Sequence, residues 1–509
     1  MGNTTIKTIH ARAPEVETPL LALQVFERAQ QLSGSAAEID QRTGGLLQRV
    51  MSGGDFTGKK EECLPLYPPA NTMGAERILL VGAGKPADYT LEQLRRSVGA
   101  TVRQAERLGV TSIALLLDHV KNSSERIGPE LAARGAVEAA ILASWDLREY
   151  KTKRDDAPPP RSLEQVVLVA GSAAEKSEFE EAAGPAAITA RSVNLARDLA
   201  TRPGNVVTPS YLAGAAEEIA RKHSMKLTVL DRAQMHKEGM GALLAVAQGT
   251  QEEPRFIILE YNRGASGQAP LALIGKGVTF DAGGISIKPA ERMEDMKYDM
   301  AGAAAVLGAM NGIAELGLET NVVALIPSTE NLPSGSAFKP GDVIRSHAGK
   351  TIEIVNTDAE GRLLLADALS YAQRFKPAAI IDAATLTGAV VVALGQQAMG
   401  LMGTNGELIE EVRSAGQRAG ERCWPLPLWD EYRELIDSSI ADMKNSGGRA
   451  AGTITGGWFL KEFAGEIPWV HLDIAGTAYR EEAVPYLRKG ATGVPTRLFI
   501  EWVRTRAQT

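Results

Sequence analysis

Short apolar runs alternate along this chain with longer stretches of amphipathic spacing, and that alternation limits the fold more than any other property of the sequence. Arg77-Ile78-Leu79-Leu80-Val81-Gly82 and the run from Thr111 to Leu117 read as buried strands. Between them, Leu91 to Leu108 places its apolar residues at helical spacing. A strand–helix–strand order predicts a parallel or mixed sheet covered by helices. The alternation returns later: Leu271–Ile274, Asn321–Ile326 and Ala378–Asp382 are strand-like, whereas Ala301–Leu316 and Leu363–Phe375 are helical. A loop rich in Pro, Ser and Gly follows Ile326, and Asp342–His347 and Thr351–Val355 flank Ala-Gly-Lys as a hairpin would. The predicted fold class is α/β, with an N-terminal α/β domain and a larger C-terminal one whose mixed sheet is flanked by helices.

A chain of 509 residues has room for two or more domains and a substantial core. Asp155 to Pro160 is the strongest breaker, and Val166–Val169 follows it as the last strand of a first domain. A helical stretch from Ala173 to Ala200 then runs to Pro203-Gly204-Asn205. The expected division is residues 1–172, a connecting helix over 173–203, and residues 204–509.

The 55 Lys and Arg stand against 62 Asp and Glu, and only 5% of residues are aromatic. Neither a basic face for duplex binding nor a stacking surface for single strands is expected, so nucleic acid is not a predicted partner. Cys63 and Cys423 are too few for a disulfide framework or a thiolate zinc site, and they read as reduced thiols of a cytoplasmic protein. Met1 to Thr18 lacks the continuous apolar region of a signal peptide. The longest apolar stretch, Ala383 to Gly403, is broken by Thr385, Thr387, Gln396 and Gln397 and reads as buried core rather than a membrane span.

Several familiar motifs fail. Gly82-Ala83-Gly84-Lys85-Pro86-Ala87 matches a loose dinucleotide fingerprint, yet the acidic residue expected about 20 positions on is missing. Pro86 also removes a backbone donor from the loop, so the segment reads as a glycine turn closing a strand. Gly275-Lys276 is followed by Gly277, which is no Walker sequence, and no G-x-S-x-G elbow occurs. The histidines at 10, 119, 223, 236, 347 and 471 are scattered, which excludes H-E-x-x-H chemistry. Any catalytic metal here must rely on oxygen ligands.

Two polar segments interrupt apolar, glycine-rich surroundings. One runs from Gly275-Lys276-Gly277-Val278-Thr279-Phe280-Asp281-Ala282-Gly283-Gly284 through Lys288 to Met296-Lys297-Tyr298-Asp299; the other is Asn356-Thr357-Asp358-Ala359-Glu360-Gly361-Arg362. Lys276 ends a buried strand, where ligands bind in open α/β sheets. If the second segment is extended, Asn356, Asp358, Glu360 and Arg362 share one face, with the next helix starting at Leu363. Carboxylates so placed repel unless a cation lies between them, and four could hold two divalent ions. Lys288 and Arg362 would then supply positive charge to a developing oxyanion. The competing reading pairs these carboxylates with Lys288, Lys297 and Arg362 as surface salt bridges. Spacing alone does not choose Asp299 over Glu291, Glu294 or Asp295.

These residues carry a resemblance. Asn356 to Arg362 is identical to the signature of the leucyl aminopeptidase (cytosol aminopeptidase, peptidase M17) family, and the Gly-Lys-Gly-x-x-Phe-Asp-x-Gly-Gly and Met-Lys-Tyr-Asp-Met segments resemble it in the same order. Asn194 to Leu199, Ala384 to Ala389, His471 to Thr477 and Gly490 to Gly493 extend the similarity over about residues 190–500. The N-terminal part resembles the family only in size and strand–helix order. The resemblance implies a macro-domain-like first domain and a catalytic second one. It implies two divalent metal ions per subunit, held by Lys276, Asp281, Asp299, Asp358 and Glu360, with zinc, manganese, magnesium and cobalt all compatible. Lys288 would stabilise the tetrahedral intermediate, and Arg362 would hold bicarbonate as general base. Met296 and Thr385 fall where the family lines the pocket for the first side chain, although Met296 by composition is also an ordinary core methionine. The implied substrates are peptides with a free N-terminus, preferentially leucine or another apolar residue, and the implied assembly is a cytoplasmic homohexamer. Ala282 departs from the Ser or Thr common after the metal-binding aspartate. A two-metal hydrolase of another bond, such as a phosphoester, and a non-catalytic scaffold are the alternatives.

Overall fold

The computed structural model describes residues 4–117, 127–152 and 162–508. The Asp155–Pro160 breaker and His119 lie outside the described residues. The chain forms two compact units, Met1–Arg191 together with Glu481–Lys489, and Ser192–Arg480 together with Gly490–Thr509. The long helix Ala173–Thr201 contributes to both.

The first unit is built on six strands: β1 (Thr5–His10), β2 (Leu21–Phe26), β3 (Cys63–Leu66), β4 (Ile78–Gly84), β5 (Ser112–Leu116) and β6 (Gln165–Ala170), in the order β1-β6-β5-β2-β4-β3. All neighbours are parallel except β3 with β4. Helices Leu91–Arg107 and Pro129–Ser144 cross between parallel strands, as the strand–helix–strand pattern predicts. Thr90 caps the first of these helices by accepting from the Gln93 N–H. Residues from the far end of the chain complete this unit. Tyr486 donates its hydroxyl to Glu92, and Arg488 donates to the Trp145 carbonyl and pairs with Glu106 at 2.8 Å.

The glycines of the failed dinucleotide motif do not form a turn after the strand; they lie inside β4. A Cβ on Gly82 would stand 1.7 Å from the Lys59 carbonyl oxygen, so glycine is needed for the segment around Lys59 to pack on the strand.

The second unit contains β7 (Lys226–Leu230), β8 (Arg255–Asn262), β9 (Leu271–Gly275), β10 (Gly277–Asp281), β11 (Asn321–Asn331), β12 (Val343–Arg345), β13 (Thr351–Glu353), β14 (Ala379–Ala384), β15 (Met399–Gly403), β16 (Cys423–Pro425), β17 (Met443–Lys444) and β18 (Trp469–Asp473). Its main sheet runs β16-β15-β18-β14-β9-β11-β8-β7, with β10 on the extended end of β11. The central strands β18, β14, β9 and β11 are mutually parallel. Successive residues of β9 and β14 feed opposite faces: Leu273 and Ile381 pack with helix Ala301–Glu315, while Ala272, Ile274 and Ile380 pack with helices Gly361–Ala372 and Gly452–Ala464. Burial of each such aliphatic chain stabilises the sheet by about 1.5–3 kcal/mol. β12 and β13 form the predicted antiparallel hairpin, joined by β17.

β11 is longer than its apolar run. Pro327-Ser328 reads as a loop, yet Ser328 donates to the Gly277 carbonyl at 2.7 Å and the strand continues beside β10 to Asn331. The stretch Ala383–Gly403 becomes the end of β14, helix Gly388–Leu394 and β15, and no helix among the described residues is long and apolar enough to cross a membrane.

Replacing Gly82 with Ala should destabilise the first unit by about 1–3 kcal/mol, because backbone rather than a movable side chain blocks the new methyl group. Thermal unfolding followed by circular dichroism measures this, and an unchanged midpoint would contradict it.

Candidate metal centre

The candidate residues meet where the parallel centre of the main sheet ends. β9 runs into Lys276, β14 into Thr385, β18 ends at Asp473 and β11 at Asn331, so all four strands deliver polar groups at their C-terminal ends. Asp281 ends β10, Asp299 lies on the 3₁₀ turn Met293–Met300, and Asp358 and Glu360 lie between β13 and helix Gly361–Ala372.

Lys276 is buried, 2% exposed, with its Nζ at 2.8 Å from both Asp299 and Glu360 and 2.9 Å from the Thr385 carbonyl. The lysine can take this path because residue 361 is glycine: a Cβ there would lie 2.5 Å from Lys276 Cε. Lys288 bridges Asp281 and Asp358 at 2.7 and 2.6 Å. The carboxylates therefore do meet lysines, but they do so in a buried cluster rather than as surface salt bridges. Lys297 takes no part and donates to the Thr201 carbonyl instead. Glu291 and Glu294 are exposed, and Asp295 pairs with Arg292, which leaves Asp299 as the member of that segment facing Lys276.

The segment Asn356–Glu360 is a turn, not the extended run that its alternation suggested. The Asn356 side chain accepts from the Asp358 N–H at 2.9 Å, and Glu360 already has helical angles of −81° and −38°. The helix thus begins at Gly361, two residues before Leu363. Short polar side chains competing for nearby backbone donors favour such turns over strands. Convergence survives the change of conformation: Asp281, Asp358 and Glu360 each offer an oxygen within 4.8 Å of the others.

Burial dominates the electrostatics. It raises Asp281 to about 6, with Glu360 adding to the effect and Lys288 and Lys276 opposing it. Burial likewise holds Asp299 well above its ordinary range and raises Asp358. Burial also pushes Glu360 upward, but Lys276 and Lys288 outweigh it and leave this carboxyl below its ordinary value. For Lys276 and Lys288, burial opposes the ammonium form, and the surrounding carboxylates overcome it and raise both.

The residues present fit a hard or borderline dication. Four carboxylates outnumber the two ammonium groups among them, and Glu360 Oε2 is buried with no hydrogen-bond partner. Arg362 stands beside this cluster, buried, donating through Nη1 to the Asn445 carbonyl at 3.0 Å while its Nε has no partner. Burial lowers its guanidinium below the ordinary value, with Glu360 and Asp473 opposing.

Thr385 donates its hydroxyl to Asp299 at 2.7 Å, and Met296 is half-buried on the turn that carries Asp299. Neither lines the cavity of about 610 Å³ that opens beside Asp358 and Arg362. Ala282 is buried and uses only its backbone, taking a bond from Lys288 N–H and giving one to the Asn331 carbonyl.

Three supporting residues escaped sequence reasoning. Asn331 donates to Asp281 at 2.8 Å and to the Thr357 carbonyl at 3.0 Å, tying the two polar segments together. Asn445 accepts from Val355 N–H and donates to the Asn356 carbonyl, so it suspends the turn. Asp473 accepts from Leu386 N–H and the Thr387 hydroxyl. Only Asp473 left a signal, a carboxylate ending the largely apolar run Trp469-Val470-His471-Leu472.

Residues 194–500 match the catalytic-domain model of the cytosol aminopeptidase family, and residues 22–154 match its N-terminal-domain model. The second match corrects the expectation that the N-terminal part shares only size and strand order with that family. The chain is 49% identical to a probable cytosol aminopeptidase of Geotalea uraniireducens (strain Rf4), covering 92% of this chain and 93% of that protein. It is 47% identical to one of Geobacter sp. (strain M21), covering 97% and 98%. Among solved structures, a tomato leucine aminopeptidase mutant superposes with a TM-score of 0.87 at 33% identity, over 99% of this chain and 97% of that one. The bottromycin maturation enzyme BotP in complex with Mn gives 0.84 at 31% identity, over 96% and 100%.

A metal can take Lys276 as a ligand only after its proton leaves, and the carboxylates hold that proton firmly. Apparent affinity for Mn²⁺ should therefore rise with pH between about pH 6 and about pH 9. Gly361→Ala, which blocks the path of Lys276, should weaken binding at every pH. Equilibrium dialysis tests both, and pH-independent uptake or an unaffected variant would contradict the geometry.

Proposed function

The chain belongs to the cytosol aminopeptidase family and is a metal-dependent aminopeptidase, and we propose that it releases leucine and other apolar residues from the free N-terminus of peptides at the Lys276–Asp281–Asp299–Asp358–Glu360 cluster. The observation that carries this reading is the buried excess of carboxylates at the C-terminal ends of parallel strands, with Glu360 Oε2 left without a partner.

Those five residues would hold two divalent ions, with zinc or manganese as the first candidates and magnesium or cobalt as the others. Such ions, when bound, supply an activated water and polarise the scissile carbonyl. The protein's own groups do the rest. Lys288 has three N–H donors, and two are engaged by Asp281 and Asp358. The third is free for the carbonyl oxygen as it gains charge. Arg362, whose Nη1 is held by the Asn445 carbonyl, would hold bicarbonate, and that ion would supply the general base. The family resemblance implies this base, and it is supported by a cavity whose described lining holds no histidine and only Asp358, paired with Lys288, as carboxylate. Met296 and Thr385, adjoining Asp299, receive the first side chain. Two free cysteines and the names of the relatives support a cytoplasmic setting, and the homohexamer belongs to the same proposal.

Chelator-stripped protein should be inactive on leucine p-nitroanilide and recover with Mn²⁺ or Zn²⁺, whereas Asp358→Ala should not recover. Lys288→Ala should lose about 10²–10³ in kcat with a smaller change in KM, as removal of an oxyanion donor does. Recovery in the Asp358 variant, or undiminished kcat in the Lys288 variant, would refute this reading and bring the scaffold alternative forward.

A further inference from the structure

The cavity of about 610 Å³ has a chemically mixed wall: Asp358 and Arg362 beside the carboxylate cluster, the apolar Val392, Ala393, Leu426 and Ile454, and Arg449 with the start of helix Gly452–Ala464. This volume suits a small ligand rather than a long segment of chain.

Arg449 is exposed, and among the described residues its guanidinium makes neither an ion pair nor a hydrogen bond. The neighbouring helix is thirteen residues long, and its N-cap, Ala451, has no side chain able to accept from the first turn. Among the described residues, the backbone N–H groups of Gly452, Thr453 and Ile454 have no partner. They present the positive end of the helix dipole to the same cavity. Arg362 also lines the cavity, but it is 6% exposed and lies in the field of Glu360 and Asp473, so Arg449 is the cation of this wall that lacks an acidic partner among the described residues. The only carboxylate in the wall is already engaged by Lys288. Arg449 and the uncapped helix start thus line this cavity without an acidic partner among the described residues.

Given the aminopeptidase reading, on which this step rests, a peptide whose scissile bond lies at the carboxylate cluster extends its remaining residues along the apolar wall. We propose that Arg449, helped by the uncapped start of helix Gly452–Ala464, receives the C-terminal carboxylate of a short peptide, so that di- and tripeptides with a free C-terminus are the preferred substrates. A guanidinium fork matches a carboxylate with two parallel hydrogen bonds, which an uncharged amide cannot reproduce. An Asp or Glu side chain on the second residue offers the same chemistry, and the experiment separates the two sources.

The test compares kcat/KM for Leu-Gly with Leu-Gly-amide, and for Leu-Glu-amide with Leu-Gln-amide, in the metal-loaded original protein and in Arg449→Met and Arg449→Lys. Taking the ratio within each protein cancels any general change in activity. The original protein should prefer Leu-Gly over its amide by about tenfold or more, as a charge-assisted hydrogen bond predicts. Arg449→Met should bring that ratio close to unity, and Arg449→Lys should restore part of it. Equal rates on Leu-Gly and its amide, or a preference untouched by Arg449→Met, would overturn the assignment. A preference confined to Leu-Glu-amide would move the carboxylate to the second side chain and overturn the free-terminus reading. Failure to hydrolyse any of the four substrates would refute the aminopeptidase reading instead. Calorimetric affinities for Leu-Gly and Leu-Gly-amide would then decide the Arg449 assignment: about tenfold tighter binding of the free acid upholds it, and equal affinities overturn it.

Discussion

The second unit is organised around one ammonium group. Lys276 sits at the end of a fully buried strand, contacted by Asp299, Glu360 and the Thr385 carbonyl. An isolated charge in that position would be prohibitively costly, and so would each carboxylate alone. They persist because each offsets another, and the balance is incomplete. The same arrangement sets demands on the backbone around it. Residue 361 must lack a side chain, β9 must stop where it does, and the following helix must start against the lysine stem. The proposed metal chemistry would use a charge imbalance that the fold already encloses.

A cluster of this kind needs its loops held, because like charges push segments apart. The holding is done by neutral amides and one further carboxylate. Asn331 joins Asp281 to the Thr357 carbonyl, Asn445 hangs the Asn356–Glu360 turn from the strand pair β13–β17, and Asp473 fixes the chain just after Thr385. Amides serve here because they give and accept bonds without adding charge to a site that already has an excess.

Much of this was legible in the residues, and the illegible parts have physical reasons. Alternating apolar and amphipathic stretches disclosed the α/β class, since a buried parallel strand and an amphipathic helix leave different periods. Lys276 stood out because a lysine seldom ends a buried strand. The conformation of Asn356–Glu360 was misread, because alternation is compatible with a strand while Asn356 satisfies the local backbone as a turn. The local sequence ends β11 at Ile326, since Pro327 removes a donor and nothing nearby announces that β10 lies alongside, whereas the strand runs on to Asn331. Asn331 and Asn445 were invisible for a related reason: their partners are 50 and 89 residues away. The glycines of β4 were noticed, but composition could not tell a turn from a strand pressed against another backbone.

The first unit takes Glu481–Lys489 into its structure, with Tyr486 on Glu92 and Arg488 on Trp145 and Glu106. That arrangement orders events during synthesis. Glu481–Lys489 are made only after Ser192–Arg480, so the second unit has most of its own chain available before the first unit has all of its residues. A single cut between the units would not yield two finished pieces, because the polypeptide passes from the second unit to the first and back within nine residues. Evolution by exchange of the first unit is constrained in the same way, since a replacement would need a matching short segment after the strands of the second unit.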